Sequence, residues 1–309
     1  MLLTLSLSLV IGLLLGLLGG GGSILTVPML VFVLHIEPKQ AIVTSFVVVG
    51  VSSLMALIPH ARRKSVCWKS GMLFGLAGML GAFAGGRLAG NFSSEFLMTL
   101  FGLVSLCTGL AMLRGGKPKI AMLSAGQPVR ICPLSVPFLR VLFDGLFVGA
   151  LTGMVGVGGG FLIVPALVML VGLPMQGAVG TSLLVIAMNA VAGLAGYSQH
   201  VSLDLPLTGL VAGGSIVGSG IGAWLSAYVK PRLLRRVFAL MVMLVAAYVL
   251  SQSVTPELLQ GVETWVLAPN SPEWALAGLL LFWLLLRIGM WIHKADTVIL
   301  SPTDAASER

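Results

Sequence analysis

The sequence predicts an all-α, polytopic membrane protein made of two inverted-topology repeats, each a broken-helix hairpin plus three transmembrane helices, with one extra C-terminal transmembrane helix. Three observations lead there. The chain is 57% hydrophobic and only 9% charged, with a mean hydropathy of +1.05, a composition that suits a bilayer better than a soluble core. The stretch Gly19–Pro28, GGGGSILTVP, recurs as GVGGGFLIVP at Gly156–Pro165, 137 positions downstream. Lys and Arg cluster in short loops between apolar segments, so the net charge of +8 reads as a topology signal and not as a nucleic-acid footprint.

Residues 1–18 are apolar, with no basic n-region and no small-residue cleavage signal, and are read as a retained membrane segment. One straight helix over 1–34 would be about 51 Å long, against a hydrocarbon core of about 30 Å. A helix to about Leu18, an irregular Gly19–Val27 and a short helix opened by Pro28 fits instead, because Pro is favoured at the first helical position and keeps the preceding residue extended. Apolar segments at 40–58, 70–90 and 95–113 complete the first repeat. The second repeat follows the same order with 138–171 (broken), 177–196, 205–229 and 233–252, and an unmatched segment comes at 273–292. The register of the duplication holds without a gap: Ala41, Thr44 and Ser45 fall on Ala178, Thr181 and Ser182, Gly81 and Gly85 on Gly218 and Gly222, and Phe101 on Phe238. The organisation expected is an N-terminal transmembrane repeat (1–113), a cytoplasmic linker (114–137), a C-terminal transmembrane repeat (138–252), and an outer acidic loop, extra helix and cytoplasmic tail (253–309). Small residues at four-residue spacing, Ala77, Gly81, Gly85 and Ala89 in one segment and Gly214, Gly218 and Gly222 in another, allow close helix packing.

The basic loops fold the topology. Arg62, Arg63, Lys64 and Lys69, the linker with Arg114, Lys117, Lys119, Arg130 and Arg140, and the run Lys230, Arg232, Arg235 and Arg236 are all placed in the cytoplasm by the positive-inside rule. The last two clusters are separated by the broken segment and two helices, so the broken segment must enter and return. Applying the same hairpin to residues 1–34 puts the N-terminus outside and, counting the extra helix, the C-terminus in the cytoplasm. Of the 18 Lys and Arg, only Lys39 and Arg87 then lie outside. A hairpin plus three spans is an odd step, so the second repeat is inverted, as in many secondary transporters.

Glycine beside proline breaks a helix, and in lipid such a break is tolerated only where protein covers it or where it lines a wet cavity. Two buried breaks therefore point to a cavity. The glycine runs are not a nucleotide loop, since GxxxxGK[ST] is absent and GVGGG has no strand before it and no acidic residue about twenty positions on. Two readings stand for them: tight packing, or an anion cradle in which exposed N–H groups and a helix N-terminus face the ligand. On the second reading the substrate-binding residues are Gly20, Gly21, Gly22 and Ser23 in the first break, Gly158, Gly159 and Gly160 in the second, and Thr44, Ser45, Thr181, Ser182 and Asn189 along the cavity. The hydroxyls also have a plainer role, bonding carbonyls of their own helix. Arg87 is placed to snorkel at the outer end of its helix, with substrate contact as the alternative. Asp144 pairs locally with Arg140 on one reading and couples protons on another. Cys67, Cys107 and Cys132 show no CxxC spacing, so neither a disulfide framework nor a metal site is supported. No cofactor and no catalytic residue is expected, there being no HExxH and no nucleophile–base pair.

The paired GGGGSILTVP and GVGGGFLIVP, the following AIVTS and AVGTS, and the small-residue helices resemble the TauE/SafE sulfite exporter family, also called the toluene-sulfonate uptake permease family, over about residues 5–250. The resemblance implies a bacterial inner-membrane carrier of sulfite, sulfonates or related small anions, in either direction. The partners expected are a small anionic substrate and the lipid bilayer, not nucleic acid. A different class of function also fits the sequence: an integral-membrane assembly or accessory protein with a closed, dry glycine interface.

Cysteine labelling from outside is expected to reach the 253–270 loop and to spare 61–69 and 230–236. Labelling of 230–236 from outside would remove the inverted repeat.

Overall fold

The computed structural model describes residues 2–20, 22–90, 92, 94–114, 132, 138–156, 160–197 and 204–253. The 273–292 helix expected from the sequence, and almost all of the linker, lie outside the described residues. The described chain is helical: α1 (Leu2–Leu18), α2 (Ser23–Pro28) running into a π-helical turn (Met29–Val33), α3 (Pro38–Arg62), α4 (Trp68–Ala89), α5 (Ser94–Arg114), α6 (Phe138–Val155), α7 (Gly160–Met169), α8 (Met175–Tyr197), α9 (Leu205–Leu225) and α10 (Pro231–Ser253). Among the described residues, 5 helices are long and apolar enough to cross a membrane. Leu80, Val191, Val217, Leu240 and Leu244 are exposed along their helices, as a lipid-facing belt requires and as a soluble surface rarely shows.

Element ends follow local chemistry. Pro38 sits in the first turn of α3, where its missing N–H costs nothing. Asp204 caps α9 by accepting the Leu207 N–H at 3.2 Å, the usual work of an N-cap carboxylate. At the first break the structure differs from the sequence expectation. The returning helix starts at Ser23, not Pro28, and the irregular stretch ends at Gly22. Pro28 lies inside the helix and cannot donate to the carbonyl four residues back. The chain then widens into a π turn closed by the Leu34 N–H on the Met29 carbonyl at 3.2 Å, a recognised way to absorb a disrupted helical ladder. Pro165 sits inside α7 in the same way, at the equivalent distance from its helix start.

The two halves interlock. In the first half, Gly12 and Gly16 of α1 lie against the backbone of Ser215 and Ser219 on α9. At an offset of 137, Gly149 and Gly153 of α6 lie against Gly78 and Ala82 on α4. Reciprocally, Gly218 and Gly222 press on Leu9 and Leu13, and Gly81 and Gly85 on Leu146 and Ala150. The small-residue faces found in the sequence thus serve to seat each half's broken helix on the other half. Contacts rise together in number along α1 and α9, and along α4 and α6, so these pairs run parallel. By contrast, Gly50 meets Ala190 while Phe46 meets Gly193, and Gly102 meets Leu250 while Gly109 meets Met243. The equivalent helices α3 and α8, and likewise α5 and α10, therefore run antiparallel.

Cys67 and Cys132 are joined by a disulfide with a Cα–Cα distance of 5.4 Å, a pairing that the cysteine spacing did not support. The two are separated by 65 positions, so only the tertiary fold brings them together.

Glycine substitutions separate the packed face from the lipid face. Gly81→Leu and Gly218→Leu are expected to lower the melting temperature sharply or abolish expression, since overpacking against backbone costs about 1–3 kcal/mol or more. Gly213→Leu, where an added Cβ meets nothing within 4 Å, is expected to behave as wild type in the same detergent melt.

Candidate functional site: two helix breaks and the polar groups between them

The breaks begin where α1 and α6 run out of partners. The N–H groups of Gly19 and Gly20 both turn back to the Leu15 carbonyl, at 2.9 and 3.3 Å, with φ of 65° and 110°. Gly156 repeats this with φ 74° and its N–H on Thr152 at 3.0 Å. Only glycine enters that region without strain. The breaks then meet, for a Cβ placed on Gly20 would lie 2.5 Å from the Gly160 Cα. Gly22 differs, with an ordinary helical φ of −65°. Its missing side chain lets α2 fold against α1, where a Cβ would come within 2.6 Å of the Ile11 carbonyl oxygen. Gly21, Gly158 and Gly159 lie outside the described residues.

Each break is closed by the other half. Ser182 donates to the Gly19 carbonyl at 2.9 Å, and Ser45 donates to the Gly156 carbonyl. Both also reach carbonyls of their own helices, Val179 at 2.8 Å and Ile42 at 2.7 Å. Ser23 bonds the Gly20 carbonyl through its hydroxyl at 2.6 Å and through its N–H at 3.2 Å. The hydroxyls of Ser23, Ser45 and Ser182 are therefore spent on backbone carbonyls, both those of the breaks and those of their own helices. Thr181 accepts the Cys67 N–H at 2.9 Å.

The remaining polar groups have no such use. Thr44 Oγ1 and both amide atoms of Asn189 are buried without a hydrogen-bond partner, as are Thr26 Oγ1, Ser52 Oγ and Ser53 Oγ. A buried unpaired polar group costs about 1–3 kcal/mol; Ser105 Oγ on α5 and Thr208 Oγ1 on α9 are unpaired too, whereas Thr26, Thr44 and Asn189 lie on the helices that form or close the breaks. Ser52 occupies the position 137 before Asn189, and the helices that carry them cross at Gly50 and Ala190, where an added Cβ would lie 3.0 Å from that of Ala190. The Asn189 amide faces Gly78 of α4, and a Cβ there would lie 2.6 Å from its Oδ1. Thr26, Ser52 and Ser53 were not among the residues selected from the sequence, although the repeat register pairs Ser52 with Asn189. Arg87 is exposed. Asp144 is 2% exposed, and the side chain of Arg140 lies outside the described residues.

A bundle of membrane-length helices packed around two mutually sealed breaks, with polar groups held unpaired among them, defines a multi-pass membrane transporter. The chain belongs to the sulfite exporter TauE/SafE family, whose model matches residues 4–249. It is 37% identical over 246 residues to a "Probable membrane transporter protein" of Xylella fastidiosa, covering 79% of this chain and 92% of that one. It is 28% identical to a protein of the same description from Methanocaldococcus jannaschii, covering 76% and 91%. A third relative, "Probable membrane transporter protein YdhB" of Bacillus subtilis, is 28% identical over 69% of this chain and 85% of its own. No solved structure matches the chain.

Removing either sealing hydroxyl leaves a buried carbonyl without that donor. Ser45→Ala and Ser182→Ala are each expected to destabilise by about 1–3 kcal/mol, and by similar amounts because their contacts are equivalent. Thr44→Val, which breaks no bond, is expected to leave the detergent melting temperature unchanged or slightly raised.

Proposed function

We propose that this protein carries small sulfur-containing oxyanions, sulfite or organosulfonates, across a bacterial inner membrane by alternating access around the two breaks. The observation that carries this reading is the set of buried, unpartnered donors, Thr26, Thr44, Ser52, Ser53 and Asn189. Hydroxyls and an amide present O–H and N–H groups to an acceptor-rich ligand without bringing a charge of their own. A sulfonate or sulfite offers several oxygen acceptors. Among these residues there is no carboxylate to hold a cation.

The backbone contributes less than the glycine runs suggest, because the N–H groups of Gly20 and Ser23 already serve the Leu15 and Gly20 carbonyls. We place recognition chiefly on Asn189, Thr44 and Ser52, with Gly20 and Gly160 allowing the close approach of the two breaks. Gly22, Ser23, Ser45, Thr181 and Ser182 then form the frame of the site. The antiparallel run of α3 against α8 and of α5 against α10 supports two repeats inverted across the membrane, and the basic loops are what put the N-terminus outside. Rocking one repeat against the other would open the donors to each side in turn.

Binding is tested by thermal unfolding of the purified protein with sulfite, sulfoacetate, taurine or thiosulfate. A ligand of the folded state contributes about 2.7 kcal/mol at one hundred times its dissociation constant. At least one oxyanion is expected to raise the midpoint of wild type and not of Asn189→Leu, while sodium and potassium chloride raise neither. Equal behaviour of the two proteins toward every oxyanion would overturn the reading.

A further inference from the structure

A hydroxyl can either give or take a hydrogen bond, but a carboxamide oxygen can only take one. Asn189 is 1% exposed, and its Oδ1 and Nδ2 both lack a partner. Whichever way the amide is turned, it presents two N–H hydrogens and one oxygen that needs a donor. An amide buried in a membrane helix ordinarily bonds to a neighbouring helix. This one lies against α4 at Gly78, where an added Cβ would stand 2.6 Å from Oδ1 and 2.9 Å from Nδ2. Gly78 brings no side chain to either atom.

The rest of that face of α4 offers no donor either. Gly71 meets the Thr181 methyl and the Leu184 side chain, and Gly75 meets the Met188 thioether. On its own helix, α8, there is no Asp, Glu, Lys, Arg or His between Met175 and Tyr197. The other half is built differently. At the offset of 137, Asn189 corresponds to Ser52 and Gly78 to Ser215, and the Ser215 hydroxyl is spent on the Ser8 carbonyl at 3.1 Å. Ser52, like Thr44, is satisfied by a ligand that only accepts. Asn189 is not. A plain alkanesulfonate or fully deprotonated sulfite meets its Nδ2 and leaves Oδ1 buried with a hydrogen bond unmade, which opposes binding.

We propose that the ligand recognised at Asn189 carries a hydrogen-bond donor of its own beside its acceptor oxygens: a hydroxyl- or amine-bearing sulfonate, or another small anion with an O–H or N–H. The amide then reads both parts at once, Nδ2 giving to an oxygen of the head group and Oδ1 taking the ligand's hydrogen. Among Thr26, Thr44, Ser52, Ser53 and Asn189, Oδ1 is the one atom that can only accept, so the ligand is held in one orientation, its donor toward α8. Gly78 keeps the amide open for it, since a hydroxyl at that position, as at 215, would take the place of the ligand's donor. This deepens the anion reading and rests on it.

The test is isothermal titration of the purified full-length protein in detergent with matched pairs of ligands that differ by one donor. Hydroxyethanesulfonate is expected to bind at least about tenfold more tightly than propanesulfonate, because a site that hydrogen-bonds a ligand hydroxyl rejects the analogue lacking it. Asn189→Ser, which installs the residue found at 52 and removes the obligate acceptor, is expected to bring the pair within about twofold of each other. Equal affinities in wild type, or a preference that Asn189→Ser retains, overturn the proposal. If Asn189→Ser does not fold, Gly78→Ser decides in its place. Its Cβ meets the movable end of the Asn189 side chain, and it is expected to narrow the ratio, an unchanged ratio overturning the proposal. The neutral pair methanesulfonamide and dimethyl sulfone separates the donor from the charge. Binding of the sulfonamide and not the sulfone, lost in Asn189→Ser, with neither anion bound, would overturn the anion reading and leave the donor requirement standing. Binding of no member of either pair overturns the proposal as well.

Discussion

In hydrocarbon a backbone carbonyl without a donor has no water to turn to, and each one left open costs several kcal/mol. The rest of this structure depends on that constraint. The carbonyls of Gly19, Met154 and Gly156, at the ends of α1 and α6, are each met by a side chain from α3 or α8. Ser182 and Ser45 cross between halves to do so, while Tyr197 acts within its own half. The breaks therefore hold the halves together as much as they interrupt the helices.

Close packing makes those bonds geometrically possible. A hydroxyl reaches a carbonyl on another helix only if the two backbones approach, and lipid supplies no hydrophobic drive to bring them together. Glycine and serine on α4 and α9 supply the approach, and each of these helices carries the broken helix of the opposite half. Each broken helix packs chiefly on the opposite half and less on its own. The two must fold as one unit, and a movement of one half against the other has to run through these contacts.

Against that background of satisfied backbone, the unsatisfied side chains stand out. The same structure that finds donors for the Gly19 and Gly156 carbonyls leaves Thr44, Ser52, Ser53 and Asn189 buried and unpartnered. Helices that seal so carefully elsewhere retain these groups at a cost, which a bound oxyanion would offset by accepting their hydrogen bonds.

Much of this was legible in the sequence. Composition and the spacing of basic loops fixed the membrane class and the order of the helices. The 137-residue offset marked both breaks and paired the small-residue faces, because duplication preserves register and because only glycine suits a left-handed turn at Gly19, Gly20 and Gly156. Other features depended on tertiary contacts. Local rules placed the start of the return helix at Pro28, but packing of Gly22 on α1 and the π turn after Met29 moved it to Ser23. Ser45 and Ser182 looked like cavity hydroxyls, and only the meeting of the halves showed them spent on carbonyls 111 and 163 positions away. The Cys67–Cys132 pair and the contact of His60 with Ser226 were likewise invisible, since each joins residues far apart in the chain. A sequence determines which residues can break, cap or pack; which carbonyl each one finds is settled by distances that exist only after the helices have crossed.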